Sequence, residues 1–177
     1  MLAKWCHFGV IVDTDTVFDV DAGVGRAAPR AGDNAQGALG RAGAEPRRSV
    51  IYLDSSVALA HLLVEDRVPP AALWTELLVS SRLLEYELWT RIHARRLGRS
   101  HGDMVRALLG RVALLELAAP VLARALEPFP VPVRTLDALH LASLEFLKSH
   151  GQRVHLASYD ERLLSAARRL GIETHTL

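Results

Sequence analysis

The chain has 177 residues, of which 50% are hydrophobic, and its 21 basic and 20 acidic residues give a formal net charge of +1. This length and composition predict one domain of ordinary size with its own hydrophobic core. The single cysteine, Cys6, excludes an internal disulfide framework, and the scattered histidines show no spacing typical of a zinc site. No apolar run approaches the roughly 18 to 20 residues that cross a bilayer, so we expect a cytoplasmic protein that does not enter a membrane.

The first 49 residues differ in composition from the rest of the chain. Residues 22–48 are rich in Ala, Gly and Arg and offer few large side chains to bury. The first convincing strand opens at Val50. We therefore expect residues 1–49 to be either a disordered extension or the product of an over-long start assignment, with an added regulatory segment as the remaining alternative.

From Val50 onward, the sequence predicts strands that alternate with helices. VIYLD, residues 50–54, is a continuous apolar run that suits a strand buried on both faces. Ser55 or Ser56 is placed to cap the helix that follows. The next predicted elements, in chain order, are a short helix over residues 69–76, a strand at LLVS, a helix over residues 81–98 ended by Gly98, a helix over residues 100–112, a strand at LLEL and a helix over residues 119–126.

The remainder of the chain repeats this alternation. Thr135 is predicted to cap a helix that Gly151 ends. A strand at VHLAS, a helix over residues 159–171 and a final strand at IETHTL complete the scheme. Strands that alternate with helices imply an α/β fold, in which a mainly parallel sheet is flanked by helices in an α/β/α sandwich over residues 50–177.

Four acidic residues end strands or open helices in this scheme. Asp54 closes the first strand and Asp160 follows VHLAS, while Glu87 and Asp137 lie in the first two turns of helices. Ligands of parallel sheets bind beyond the carboxyl ends of the strands, so we expect the four carboxylates to converge there. Such a cluster repels itself unless it shares protons or holds cations. Oxygen ligands select Mg²⁺ or Mn²⁺, which polarise a phosphodiester and lower the pKa of a water, so hydrolysis of a nucleic-acid backbone is the predicted reaction.

Three of these acids also have simpler interpretations. Asp54 and Asp160 each precede a helix, and either can be only an N-cap. Glu87 competes with Glu85, which lies two residues away and points to a different face of the helix. Sequence periodicity alone does not choose between the two glutamates.

A purely structural role explains Asp137 less well than it explains the other acids. It lies in the first turn of a helix, where the dipole favours an acid, but its neighbours are mostly apolar and mark a buried helix. His140 follows one turn later and is a candidate ligand or base. The alternative is a core histidine whose ring nitrogens are hydrogen-bonded.

Four arginines are predicted to lie along one side of a single helix. Offsets of four, five and eight residues separate the first from the others. They form either a phosphate-facing stripe that binds RNA or an ordinary solvated helix face. These residues are Arg91, Arg95, Arg96 and Arg99.

Four segments of the chain resemble, in order and spacing, the blocks of PIN-domain ribonucleases, and most closely the VapC toxins of bacterial toxin–antitoxin pairs. The segments are VIYLDSSVALAHLL, SSRLLEYELWTRIHARRL, VRTLDALHLASLEFL and VHLASYDERLLSAARRLGIE. The resemblance covers about residues 50–177. It implies a parallel sheet between helices and Mg²⁺- or Mn²⁺-dependent endonucleolytic cleavage of RNA, often transfer or ribosomal RNA. It also implies two partners, a cognate antitoxin and a second copy of the chain.

The resemblance also implies roles for individual residues. Glu87 is preferred over Glu85 because the family usually has its acid six residues after a Ser at the helix start, and Ser81 fits. Ser56 and Ser158 match positions that help to hold the acids, although Thr is commoner at the second. A non-catalytic module of the same fold, which binds nucleic acid or an antitoxin, is the alternative. The acids implied to be both catalytic and metal-binding are Asp54, Glu87, Asp137 and Asp160.

Overall fold

The structure, a computed structural model, describes residues 49–64 and 66–177. Its strands are β1 (Val50–Leu53), β2 (Leu78–Ser81), β3 (Val112–Leu115), β4 (Val154–Ala157) and β5 (Glu173–Thr174). Its α-helices are α1 (Ser55–Leu63), α2 (Leu83–Ala94), α3 (Gly98–Leu109), α4 (Ala119–Ala125), α5 (Thr135–Ser149) and α6 (Glu161–Arg169), and a 3₁₀ helix spans Ala71–Thr75. The described strands form one five-stranded sheet in the order β3-β2-β1-β4-β5, with every pairing parallel.

Strand β1 lies at the centre of the sheet, and each of its residues is buried. Ile51 and Leu53 pack into an apolar cluster with side chains of α1, α2 and α3. Val50 and Tyr52 point to the opposite face and pack with α5 and α6. Successive side chains of a strand point to opposite faces, so an unbroken apolar run requires cover on both sides. The layers confirm the predicted α/β/α sandwich.

Successive strands are added first on one side of β1 and then on the other, so the strand order reverses at β1. The chain runs outward from β1 through β2 to β3, and then returns to place β4 on the other side of β1. Val50 pairs with Val154 and Leu53 with Ala157, so β1 and β4 end at the same level. The amide of Asp54 extends the pairing by donating to the Ala157 carbonyl over 3.0 Å. A crevice beyond such a reversal is the usual ligand site of open parallel sheets.

Several predicted element boundaries were wrong. The helix predicted over residues 100–112 ends at Leu109, and the last strand spans only Glu173–Thr174 of the predicted IETHTL segment. Strand β3 begins at Val112, two residues before the predicted LLEL segment, because Val112 is the residue that pairs with Leu78 of β2. Helix α2 ends at Ala94, and Gly98 opens α3 instead of ending the helix before it. The break occurs at Arg96, whose left-handed φ of 58° does not continue a helix. The four arginines therefore do not form a stripe on one helix.

The predicted helix caps also need correction. The N-cap of α1 is Asp54, and Ser55 and Ser56 are the first residues of the helix. The position before α5 belongs to Arg134, which makes no side-chain capping bond, and Thr135 is the first helical residue. An ionised aspartate accepts backbone N–H bonds more strongly than a serine hydroxyl does, which accounts for the choice at α1.

The interpretation of residues 1–49 as an extension or a mis-assigned start falls, Ser49 aside, outside the described residues. Over the part of the chain that the structure covers, none of the helices combines the length and the apolar character that crossing a bilayer requires.

Candidate active site

Asp54 is buried at the carboxyl end of β1, with 5% of its surface exposed. One carboxylate oxygen, Oδ2, accepts hydrogen bonds from the Ser56 amide at 3.2 Å, the Ser56 hydroxyl at 2.5 Å and the Ser158 hydroxyl at 2.8 Å. The other oxygen, Oδ1, lies 3.9 Å from Nε2 of His140. The carboxylate is thus fixed through one oxygen, while the second points into the crevice towards α5.

Ser56 and Ser158 join Asp54 to the turn after β4. The Ser56 hydroxyl accepts from the Tyr159 amide, and the Ser158 hydroxyl accepts from the Asp160 amide, both at 2.9 Å. The two hydroxyl oxygens lie 3.4 Å apart. Both serines therefore bind Asp54 and the chain around Asp160 at once.

Asp160 is the N-cap of α6. Its Oδ1 accepts from the Arg162 amide at 2.8 Å and the Leu163 amide at 3.4 Å. Its Oδ2 lies 3.9 Å from a guanidinium nitrogen of Arg134. The capping interpretation is correct for Asp160 as it is for Asp54, and in each case one oxygen caps the helix and the other is directed elsewhere.

Asp137 lies in the first turn of α5 and is partly buried. Burial is the largest cause that raises the pKa of its carboxyl above the ordinary value, followed by the negative charge of Asp160 and then that of Asp54. A backbone hydrogen bond and the charge at Arg134 act in the opposite direction. Asp160 and Asp54 are therefore close enough to Asp137 to oppose the ionisation of its carboxyl.

Glu87 enters the site from α2. Its Oε2 lies 2.9 Å from Nε2 of His140, and 17% of its side chain is exposed. Glu85 instead forms a 3.1 Å ion pair with Arg82, which also binds Glu116, and 39% of the Glu85 side chain is exposed. Of the two glutamates, the structure places Glu87 in the crevice and Glu85 on the surface.

His140 lies between Asp54 and Glu87 and is only 1% exposed. Its Nδ1 shares a 2.9 Å hydrogen bond with the hydroxyl of Tyr52. Burial of the ring lowers the pKa of His140, but Tyr52 and the carboxylates of Glu87 and Asp54 outweigh burial and raise the pKa to about 10. The structure supports the interpretation of His140 as a hydrogen-bonded core histidine. One of its hydrogen bonds is to Glu87, a residue of the candidate site.

The donor chemistry of the site fits Mg²⁺ or Mn²⁺. Carboxylate oxygens are the ligands that these hard cations prefer. Burial, and then the charges of Asp160 and Asp54, raise the pKa of Asp137, and a bound cation would favour its ionised form. Among the residues that the structure describes, however, no three His, Cys, Asp or Glu side chains are gathered closely enough to form a preformed cage. Asp54, Glu87, Asp137 and Asp160 are the residues that would hold the ion.

A recess of about 860 Å³ opens beside Ser56. Arg91 and Arg95 line it, together with Arg67 and Tyr159. The Arg67 guanidinium donates to the Tyr159 carbonyl over 3.5 Å and lies 5.6 Å from the centre of the Tyr159 ring. Asp66 also lines the recess, and Ser56, whose hydroxyl donates to Asp54, connects the recess to the acids. The other two predicted arginines, at positions 96 and 99, do not line it.

Sequence reasoning missed two residues of the site. Tyr52 was treated only as part of an apolar strand, although a tyrosine inside a run buried on both faces must find a partner for its hydroxyl. Arg134, the cation beside Asp137 and Asp160, carried no signal beyond its place just before α5.

Comparison with known proteins places the chain in a family. The PIN domain family model matches residues 51–169. A protein of Mycobacterium tuberculosis named Ribonuclease VapC47 is 31% identical over 71% of this chain and 95% of its own length. Ribonuclease VapC35 of the same organism is 32% identical over 70% of this chain and 93% of its own length.

A solved structure supports the same fold. The crystal structure of Mycobacterium tuberculosis VapC20, described as a toxin that cleaves the sarcin–ricin loop, superposes with a TM-score of 0.52 at 20% identity. The match covers 66% of this chain and 94% of VapC20. The chain belongs to the PIN-domain family and is a VapC-type member of it.

Proposed function

We propose that the chain is the toxin of a toxin–antitoxin pair and cleaves RNA as a metal-dependent endoribonuclease. The observation that carries the proposal is the approach of Asp54 and Glu87 to the same nitrogen of His140, at 3.9 Å and 2.9 Å, beyond the carboxyl end of the central strand. The two relatives named as ribonucleases support the same activity. Asp54, Glu87, Asp137 and Asp160 are the catalytic and metal-binding residues of this proposal.

A bound Mg²⁺ or Mn²⁺ would supply the positive charge that activates water and stabilises the leaving oxygen of a phosphodiester. The residues of the chain prepare the site for that charge. Asp54 offers Oδ1 because its Oδ2 is occupied by the two serines. A cation would favour the ionised form of Asp137, because burial and the charges of Asp160 and Asp54 raise the pKa of its carboxyl. These acids therefore bind a divalent cation in preference to remaining charged alone.

The substrate is a single-stranded or looped RNA, with transfer and ribosomal RNA as the first classes to test. Arg91 and Arg95 line the recess that opens beside Ser56, so they bind phosphates next to the cleaved bond. Arg96 and Arg99 contact the backbone farther away. Contacts of this kind position an RNA without reading its sequence, so they set affinity and not target choice.

The proposal includes two protein partners. A cognate antitoxin silences the toxin, and a second copy of the chain forms a homodimer with it. The toxin and its antitoxin act in the cytoplasm, where transfer and ribosomal RNA are found. VapC toxins pair with antitoxins in general, which supports the first partner. The second partner is the one that the family resemblance implies.

A cleavage assay with matched glutamate variants tests the proposed activity. Purified protein is incubated with transfer and ribosomal RNA in Mg²⁺, in Mn²⁺ and in EDTA, and we expect cutting only in the presence of metal. Glu87→Gln should reduce the cleavage rate by more than about tenfold, since it removes a proposed metal ligand. Glu85→Gln is the control, because Glu85 lies two residues away in a surface ion pair. RNA binding without cleavage in either metal would favour the non-catalytic module instead.

The role of the recess is tested by the salt dependence of RNA binding. Arg91→Gln combined with Arg95→Gln should lower the slope of log affinity against log salt by about 1.4, or about 0.7 for each lost phosphate contact. Arg153→Gln is the control, since this exposed arginine adjoins the opposite, amino end of β4. An unchanged slope in the double variant would show that the recess does not bind the RNA backbone.

A further inference from the structure

Tyr52 presents a polar group in the middle of the core. The residue lies in the central strand, has 0% of its surface exposed and is surrounded by apolar side chains. A buried hydroxyl without partners is costly, and Tyr52 avoids that cost with two hydrogen bonds. The Ser81 amide donates to the hydroxyl over 3.2 Å, and Nδ1 of His140 lies 2.9 Å from it. The phenol is thereby anchored to β2 on one side and to α5 on the other.

His140 connects the anchored hydroxyl of Tyr52 to the carboxylate of Glu87. One ring nitrogen is engaged by Tyr52, so the ring cannot rotate without losing a buried hydrogen bond. The other nitrogen, Nε2, lies 2.9 Å from Oε2 of Glu87. The side chains of His140 and Glu87 are thus joined by a direct hydrogen bond, in which an imidazole N–H is the donor suited to a carboxylate oxygen.

Glu87 needs such support more than the aspartates do. Its side chain has one more rotatable bond than that of Asp54, and it projects from the middle of a helix instead of capping one. The contact with His140 fixes Oε2 of Glu87. The same nitrogen lies 3.9 Å from Oδ1 of Asp54, so a single buried ring sets the separation of the two acids.

We propose that His140, held in place by Tyr52, is a positioning residue that keeps the Glu87 carboxylate in the same cation site as Asp54. The proposal rests on the proposed function, since it concerns the geometry of that site. It assigns no direct contact with RNA to either residue. It predicts that breaking the Tyr52–His140–Glu87 relay weakens cation binding and turnover and leaves RNA affinity unchanged.

Four variants test the relay. His140→Leu removes the donor to Glu87, whereas His140→Gln retains an N–H near the position of Nε2. Tyr52→Phe leaves His140 present but unsupported, and it serves as the second variant if His140→Leu does not fold. Ser143→Ala is the control for core damage, because Ser143 lies one turn after His140, is fully buried, and loses only a 2.8 Å bond to the Leu139 carbonyl.

Mn²⁺ binding is measured by calorimetry on each folded variant, alongside kcat and KM for RNA cleavage. His140→Leu should weaken Mn²⁺ binding and lower kcat by about 10- to 100-fold, with KM for RNA changed by less than about twofold. Tyr52→Phe should show a smaller loss of the same kind, His140→Gln should recover part of it, and Ser143→Ala should match the unmodified protein.

The outcomes separate this proposal from the proposed function. Equal Mn²⁺ affinity in the unmodified protein, His140→Leu and Tyr52→Phe would overturn the positioning role and leave the nuclease proposal intact. A parallel loss in Ser143→Ala would also overturn it, since general core damage would then explain the result. If the unmodified protein binds no Mn²⁺ and cuts no RNA, the proposed function fails and the relay has no site to position.

Discussion

Asp54 and Glu87 approach the same point in the crevice but are held there in different ways. Asp54 is fixed by several donors from the turns around it, two from Ser56 and one from Ser158. Glu87 is fixed by one donor, His140, which is in turn held by Tyr52 in the core. Asp54 depends on several contacts from the neighbouring turns, whereas Glu87 depends, among the described residues, on a single series through His140 and Tyr52.

The site should therefore tolerate a substitution beside Asp54 better than one beside Glu87. Loss of one serine leaves Asp54 with other donors on the same oxygen. Loss of any member of the buried relay leaves Glu87 without its donor or leaves the donor without its support, and the effects of residues that act as a unit do not add. Substitutions at the three aspartates and the two serines test this contrast.

Asp54→Asn should have the largest effect. Asn still caps a helix and still presents an oxygen to Ser56 and Ser158, so the fold should persist. The negative charge is lost, and we expect the single-turnover cleavage rate to fall by more than about 100-fold, beyond the range for residues that act through a ligand. Circular dichroism and thermal melting check the fold. A loss of less than tenfold would remove Asp54 from the metal-binding set.

Removal of one serine should have a smaller effect. Ser56→Ala and Ser158→Ala should each lower the cleavage rate by less than about tenfold, because Asp54 retains donors on Oδ2 in either variant. The double variant should lose more than the product of the two single losses. Single losses as large as that of His140→Leu would show that the Asp54 contacts are not redundant.

Asp137→Asn should make the metal-free protein more stable at neutral pH. The folded protein raises the pKa of Asp137, so the penalty for its ionisation appears as the pH rises above the ordinary value of 3.8 and is complete once the pH exceeds the raised value. The advantage of Asn in EDTA should shrink as the pH falls through that range and vanish well below 3.8, where the folded and unfolded states are both protonated. Differential scanning fluorimetry at several pH values measures the difference in melting temperature between the variant and the unmodified protein. Added Mn²⁺ should raise the melting temperature less in the variant, and an equal rise would contradict the role of Asp137.

Two substitutions at Asp160 should separate its capping role from its site role. Asp160→Ala removes the acceptor for the Arg162 and Leu163 amides and should cost about 1 kcal/mol in urea unfolding. Asp160→Asn should cost only a small fraction of that, since Asn caps nearly as well. Both should slow cleavage if Oδ2 binds the metal. Cleavage that is lost in the Ala variant alone would assign Asp160 to capping only.

The fold was readable from the sequence because its cues are local. The run VIYLD has no polar break and predicted the buried central strand, and Gly151 predicted the end of α5, where it adopts a φ of 77°. The start of β3 was misplaced because VALL and LLEL are equally apolar, and only pairing with β2 chooses between them. The break at Arg96 was missed because arginine rarely adopts a left-handed conformation and gives no warning of one.

The site could be predicted only in part, because some of its contacts join residues that no local sequence pattern connects. Asp54, Asp137 and Asp160 were selected by their places at strand ends and helix starts, which parallel topology brings together. The Tyr52–His140–Glu87 relay was not predicted, because 88 positions separate Tyr52 from His140 and 53 positions separate Glu87 from His140. No local pattern links residues so far apart, and a Tyr in a strand or a His in a helix is ordinary by itself. Glu87 could be distinguished from Glu85 only by the family resemblance.

The reversal of strand order beside β1 also sets the time at which the site can be completed. Strand β1 is synthesised first but pairs with β4, more than 100 residues later along the chain. Ser158 and Asp160 follow β4, so a chain still emerging from the ribosome holds Asp54 without the serine and the acid that complete its surroundings. Long-range pairing of this kind forms late in folding. A product truncated before Val154 would therefore carry three of the four acids and none of the assembled site.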